Sequence, residues 1–293
     1  MSTRAFDSTP SMLPLYAKAV APAVPGLSLL PGVRRSGGEL PDLELTQPGV
    51  RVDRDRLAEY AEVCEFGLRD TVPATYPHIL AFPLHMALMT AGAFPFAPMG
   101  LVHVANRITQ HRPVRSSDVL DLRVHAADLR PHPKGRQFDI VSEARVDGEL
   151  VWHGVSTMLR RGGGGERAAG GRDERPVPSG PTRWRLGGDL GRRYAGVSGD
   201  RNPIHLYGAT AKAFGFPRQI AHGMWSKARC LAALTPRLPD AFEVDVEFKK
   251  PILLPSTVAF GTVRSGRSGS GTDFGLTDAK KGAPHLVGTV RAL

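Results

Sequence analysis

The sequence predicts an α+β protein made of two tandem copies of one unit. Two observations carry this. Landmarks recur at nearly constant spacing, and each copy joins a long apolar helix to several segments of period-two patterning. That is the combination in which an antiparallel sheet buries one face against a helix. Tyr60, Ala61 and Val63 recur 134 residues on as Tyr194, Ala195 and Val197. Phe82-Pro83-Leu84-His85-Met86 faces Ile220-Ala221-His222-Gly223-Met224 at an offset of 138, and Ile108–Pro113 faces Val246–Pro251 at the same offset.

Residues 1–40 form an N-terminal tail in this reading. Their Ala-rich stretch is broken by Lys18 and Pro22, which argues against a signal peptide. The first unit, 41–160, opens with a helix at Val52–Cys64. A turn and an apolar helix follow, about Pro83–Ala91, then strands at Val102–Thr109, Leu120–Ala126, Gln137–Arg145 and Leu150–Leu159. Residues 161–182 are Gly, Arg, Glu and Pro with almost nothing apolar, the composition of a flexible linker. The second unit, 183–293, has helices at Leu190–Val197 and Gly223–Leu234. Its strands are Ala241–Phe248, Thr257–Arg264, Thr272–Ala279 and His285–Ala292. A helix as apolar all round as Met224–Leu234 belongs inside a sheet, not on a surface.

Composition narrows the function. With 41% hydrophobic and 23% charged residues, the 293-residue chain can bury a real core, so general disorder is excluded. The 33 glycines and 25 prolines follow no triplet period, which excludes a collagen-like chain. Two distant cysteines, Cys64 and Cys230, exclude a disulfide framework and a Cys-x-x-Cys zinc site. They fit a reducing cytoplasm. No apolar run approaches the ~20 residues of a membrane span. The net charge of +10 favours anionic partners, but no nucleic-acid motif accompanies it, so nucleic acid is not an expected partner.

The informative stretch runs from Tyr194 through Ser198-Gly199-Asp200-Arg201-Asn202-Pro203-Ile204-His205 to Ile220-Ala221-His222-Gly223-Met224. Ser198-Gly199-Asp200 closes a helix, and Asn202-Pro203 is a turn dipeptide. Asp200, Asn202 and His205 therefore lie on one bent segment and can converge. A carboxylate and an imidazole within reach of one water form an acid/base pair. Taken alone, Asp-x-Asn-Pro reads equally as an Asx turn with a helix cap. Gly223 opens a helix, where a free N–H attracts negative charge, or it is an ordinary helix start.

Together, the Asp-x-Asn-Pro-x-His unit and the Ala-His-Gly-Met unit 17 residues later resemble the MaoC-like hydratase/dehydratase family of the hotdog fold. The first unit is also similar to the N-terminal half of the two-hotdog members, through Ala74-Thr75-Tyr76-Pro77, Phe82-Pro83, Met99-Gly100 and Ile108–Pro113. Among these members the actinobacterial (3R)-hydroxyacyl-thioester dehydratases of fatty-acid elongation are the nearest likeness. The resemblance implies a double hotdog, two helices each wrapped by an antiparallel sheet. It also implies reversible addition of water to trans-2-enoyl thioesters of coenzyme A or acyl carrier protein, with no cofactor. It assigns the catalytic pair to Asp200 and His205, the motif asparagine to Asn202 and the oxyanion N–H to Gly223. Ser198, Ile220, His222 and Met224 are candidate substrate-binding residues, with Phe82 and Met86 from the first unit.

The first unit departs from the pattern: Phe66, Leu68, Thr71 and His85 face Asp200, Asn202, His205 and Gly223. It is expected to make room for the acyl chain while the second unit reacts. Phe94, Phe96, Met89 and Met99 read either as core or as acyl tunnel. Arg201, Lys212, Arg218, Lys227, Lys249 and Lys250 read either as solvated surface or as contacts to an anionic carrier. His103, His111, His125, His132 and His153 have no metal-ligand spacing, so no metal site is expected. A homodimer of the two-unit chain is the expected assembly. An acyl-CoA thioesterase and a non-catalytic acyl-thioester-binding protein are the competing readings.

Overall fold

Alternation of apolar and polar residues builds most of this molecule. Leu120, Leu122 and Val124 face inward while Asp121 and Arg123 face out, and Val244 and Val246 do the same around Asp245. The computed structural model describes residues 1–21, 38–162, 176–265 and 271–293. The first unit contains β1 (Ser2–Ala5), α1 (Met12–Val20), β2 (Leu43–Arg51), α2 (Arg54–Cys64) and α3 (Tyr76–Met89). Strands β3 (Leu101–Gln110), β4 (Val119–His132), β5 (Gly135–Val146) and β6 (Glu149–Arg161) follow. The second contains β7 (Thr182–Leu186), α4 (Leu190–Ser198), α5 (Pro203–Leu206), α6 (Gly208–Ala213) and α7 (Gly223–Leu234). It ends with β8 (Phe242–Phe248), β9 (Ser256–Ser265), β10 (Gly271–Asp278) and β11 (Pro284–Ala292).

The eleven strands of the described residues form one sheet, ordered β1-β2-β4-β5-β6-β3-β8-β11-β10-β9-β7. The order is a palindrome about the β3–β8 pair, apart from the added β1. At its centre Arg107 stands opposite Asp245, 138 residues on, the same offset as the repeat in sequence. The two side chains pair at 3.1 Å. The repeat is thus a local two-fold axis through the sheet. Tyr60 and Tyr194, equivalent in the two units, meet with ring centroids 6.2 Å apart where α2 touches α4. Helices α3 and α7 supply the core: Ala81, Leu84 and Leu88 in one, Ala228, Cys230 and Leu231 in the other, are wholly buried. This is the α+β, double-hotdog architecture that the resemblance implies.

Three expectations about elements need correction. Residues 1–21 are not a free tail: β1 adds in parallel to β2, and α1 lies against α3. Helix α3 starts at Tyr76, not Pro83. Pro83 sits inside it, where a proline forfeits one backbone hydrogen bond, and the surrounding sheet holds the helix through it. Of the expected linker, residues 163–175 lie outside the described residues. Val177, Pro178 and Ser179 pack on Gly261 and Gly275 of β9 and β10, so the end of that stretch is part of the second unit.

Candidate active site

Helix α4 ends on Gly199, whose φ of +75° is the left-handed conformation that glycine adopts most readily. The chain then turns so that Asn202 caps α5, its Oδ1 accepting from Ile204 N at 3.3 Å with Pro203 in the first turn. Asp200 is held between these elements. Its backbone N–H donates to Ser198 Oγ at 3.2 Å, and its Oδ1 accepts from Asn202 N at 3.1 Å. The Asn202 side-chain oxygen is committed to the cap, which leaves its Nδ2 to donate elsewhere.

His205 lies on α5, 8% exposed, with Nδ1 2.8 Å from the Ile220 carbonyl. A carbonyl only accepts, so Nδ1 carries the hydrogen and Nε2 presents a lone pair. Burial pushes the His205 pKa down, and the Asp200 charge opposes that only in part. The imidazole is therefore neutral near pH 7. His222 stacks on it at 3.6 Å between centroids and donates from Nε2 to the Asp200 carbonyl at 3.0 Å. It too is held neutral by burial.

Gly223 is the first residue of α7, behind its N-cap His222. A Cβ at Gly223 would come within 3.1–3.2 Å of the Phe248 ring, so the glycine lets that ring close over the helix start. The unpaired N–H groups of a first helical turn lie here, a place suited to an oxygen gaining charge.

These residues line a cavity of about 270 Å³ shared by both units. Asp200, Asn202, His205, Ser198, Ile220, His222, Gly223, Met224 and Phe82 all border it. Met86 does not. It is 3% exposed in the core, while His78, Phe82, His85 and Met89 of the same helix line the cavity. Met89 takes the place expected of Met86, while Phe94, Phe96 and Met99 are core. Of the basic residues, Lys249 and Lys250 reach the cavity with Arg161 and His285. Lys227 does not. It is wholly buried, and its Nζ donates to Asn106 O, Asn106 Oδ1 and Val244 O at 3.0, 2.6 and 3.1 Å.

The comparisons with known proteins bear on this cavity. A family model described as MaoC like domain matches residues 179–281, the span that carries every motif residue. The 3-hydroxyacyl-thioester dehydratase X of Mycobacterium tuberculosis is 40% identical over 267 residues, 90% of this chain and 94% of that protein. The chain belongs to the MaoC-like dehydratase family. The crystal structure of HtdX of M. tuberculosis superposes with a TM-score of 0.76 at 39% identity, covering 85% of this chain and all of that one. A second M. tuberculosis structure, described as having a double hotdog fold, is 14% identical with a TM-score of 0.55, covering 84% of this chain and 93% of that one. It supports the fold alone.

Within this MaoC-like site, donor atoms of Asp200, His205 and His222 lie within 4.8 Å of one another, close enough for a metal ion. The two imidazoles are stacked face to face, which sends their in-plane lone pairs alongside each other instead of converging on one ion. The set suits proton transfer better than chelation.

One contact was invisible in the sequence. The Tyr16 hydroxyl, on α1, donates to Gly199 O at 3.0 Å and accepts from Arg201 N at 2.6 Å. It clamps the two residues that flank Asp200. A lone tyrosine 183 positions away carries no signal of that role.

Proposed function

We propose that this chain is a carbon–oxygen lyase of fatty-acid metabolism that interconverts trans-2-enoyl thioesters and (3R)-hydroxyacyl thioesters. The observation that carries the proposal is the meeting of the Asp200 carboxylate with a neutral His205 of defined tautomer at the wall of a shared, mostly apolar cavity. The names of its relatives point the same way.

In the hydration direction, one water sits between Asp200 and His205, ordered also by Asn202 Nδ2. The water O–H breaks, its proton passes to the lone pair on His205 Nε2, and its oxygen bonds to C3. The C2–C3 π pair moves toward the thioester, whose oxygen gains charge and is held by the Gly223 N–H. A good oxyanion donor is worth about 3–4 kcal/mol. The acid/base pair then returns a proton to C2, so water has added across the double bond. Dehydration is the reverse. Arg161, Lys249, Lys250 and His285 at the cavity are suited to the phosphates of coenzyme A or to an acidic carrier protein. Both cysteines are free and buried, in keeping with a reducing cytoplasm. A homodimer of the two-unit chain completes the proposal, to be checked by sedimentation.

The test is hydration of crotonyl-CoA and longer trans-2-enoyl-CoA esters, followed by loss of the conjugated-enoyl absorbance. Asp200→Asn and His205→Gln are each expected to lose about 10²–10⁴-fold in rate, with the melting temperature retained. Near-normal hydration by both variants would overturn the assignment. Release of free thiol without hydration would favour the thioesterase reading instead.

A further inference from the structure

The acyl side of the cavity is not a plain hydrocarbon tunnel. Starting from Gly223, its wall runs through Phe248 to His103 at 5.1 Å, His78 at 6.3 Å, His85 at 5.0 Å and Phe82 at 6.2 Å, ring to ring. It closes at Gly199, where a Cβ would stand 3.9 Å from Phe82. This belt comes mostly from α3 and β3 of the first unit, the unit without catalytic residues. Three of its members are imidazoles that border the same cavity as Asp200 and His205.

The imidazoles are not equally committed. His85 Nε2 shares a hydrogen bond with Ser142 Oγ at 2.7 Å, and His103 Nε2, though without a hydrogen-bond partner among the described residues, is itself wholly buried and presents no surface to the cavity. His78 is 93% buried, and neither ring nitrogen makes a hydrogen bond among the described residues. The surface it retains borders the cavity. Burial and the neighbouring imidazoles keep His78 uncharged. A neutral imidazole offers one N–H donor and one lone-pair acceptor. Ser156 adds a second polar group to the wall: its Oγ accepts from Asn106 Nδ2 at 3.1 Å, which leaves its own O–H to give.

An alkyl chain lying against these groups would leave them unsatisfied, at a free-energy cost. A ketone only accepts, so it leaves a nitrogen that presents its lone pair to the cavity unpaired. A hydroxyl donates to a lone pair or accepts from an N–H, so it pairs with whichever His78 nitrogen faces the cavity, in either tautomer.

We propose that His78 is a specificity-determining residue that selects acyl thioesters bearing a hydroxyl group farther along the chain than C3. The inference rests on the dehydratase reading above, since it names the substrate class of that same cavity. A site built to bond a substrate hydroxyl rejects the analogue that lacks it, because its own polar groups are then unpaired. An apolar tunnel does the opposite and penalises the hydroxyl.

The experiment compares ω-hydroxylated trans-2-enoyl-CoA esters of increasing chain length with their methyl-terminated parents. The readout is the ratio of kcat/KM for the two members of each pair. The wild-type ratio is expected to rise above one, by threefold or more, at the chain length that brings the hydroxyl to His78, and to stay below one at other lengths. His78→Leu is expected to lower that peak ratio at least tenfold, and His78→Gln, which keeps a donor and an acceptor, to preserve most of it. A wild-type ratio below one at every length would overturn the proposal without any variant, and so would an unchanged ratio in a folded His78→Leu protein. If neither member of any pair is hydrated, the dehydratase reading fails. Calorimetric binding of saturated acyl-CoA and ω-hydroxyacyl-CoA then decides the His78 inference separately: tighter binding of the hydroxylated ester supports it, and weaker or equal binding ends it.

Discussion

In the proposed reaction His205 can accept a proton only while neutral, and its surroundings fix its tautomer and favour its uncharged form. Because burial lowers its pKa from the ordinary 6.5, the acid limb of kcat/KM is expected below pH 6.5. A rate profile on crotonyl-CoA falling already above pH 7 on its acid side would contradict this. The same burial affects stability. His85 and His103 are pushed down to about 3 and about 4, and His78, His205 and His222 are lowered as well. In the unfolded chain these groups take up protons near 6.5, while the folded protein refuses them. Stability is therefore full above about pH 6.5 and falls on acidification, by about 1.4 kcal/mol per pH unit for each histidine affected. Chemical denaturation at pH 7 and pH 5 checks the sign. Tyr16 belongs to this scale too. Tyr16→Phe removes both hydrogen bonds to the Asp200 loop, so kcat is expected to fall several-fold with little change in the midpoint of unfolding.

Element boundaries decide whether such residues land in the right place. Helix α4 approaches α5 so closely that a Cβ on Gly191 would collide with the His205 carbonyl oxygen. Gly191→Ala is expected to push α5 away, costing about 1–3 kcal/mol of stability and at least tenfold in hydration rate. An active, wild-type-like Gly191→Ala protein would mean that α5 tolerates displacement. The same reasoning explains what could be read from sequence. Helix α7 and most strands follow a clean period and were legible to within a residue or two. Strand β2 was missed because Pro48-Gly49 puts a bulge in it, with Gly49 at φ +70° and a register shift from Gln47 to Val50. Strand β4 was read six residues short because its register shifts between Ala127 and Arg130, where Asp128 has φ +53°. The motif residues Asp200, Asn202, His205 and Gly223 were legible because local turn and cap chemistry brings them together. Met86 was misplaced because the inward stripe of a helix depends on where the sheet touches it. His78, on the same helix, was not singled out for the same reason.

At the scale of the whole molecule, the site exists only because two units share one sheet. The centre of that sheet is the β3–β8 pair, and Lys227 is bolted across it: a residue of the second unit's helix donates to Asn106 in the first unit and to Val244 in the second. A lysine in an apolar helix reads as a surface cation until its partners, far away in sequence, are known. Burial drives its pKa well down, so the position is costly and three acceptors depend on it. Lys227→Ala is expected to destabilise the protein by about 3–5 kcal/mol, because it leaves those acceptors buried and unpaired. Lys227→Met keeps the stem and is expected to cost less. Calorimetry should find one cooperative transition in each, since no seam divides the sheet. The stronger consequence concerns residues 1–162 and 176–293 made as separate chains. Each would expose a long β3 or β8 edge and half of an apolar cavity, the features that drive association. Each alone is expected to aggregate, and the two co-expressed are expected to form a soluble pair that regains hydration. An active, soluble 176–293 chain would mean that the second unit completes its own cavity and that the first is dispensable for the chemistry.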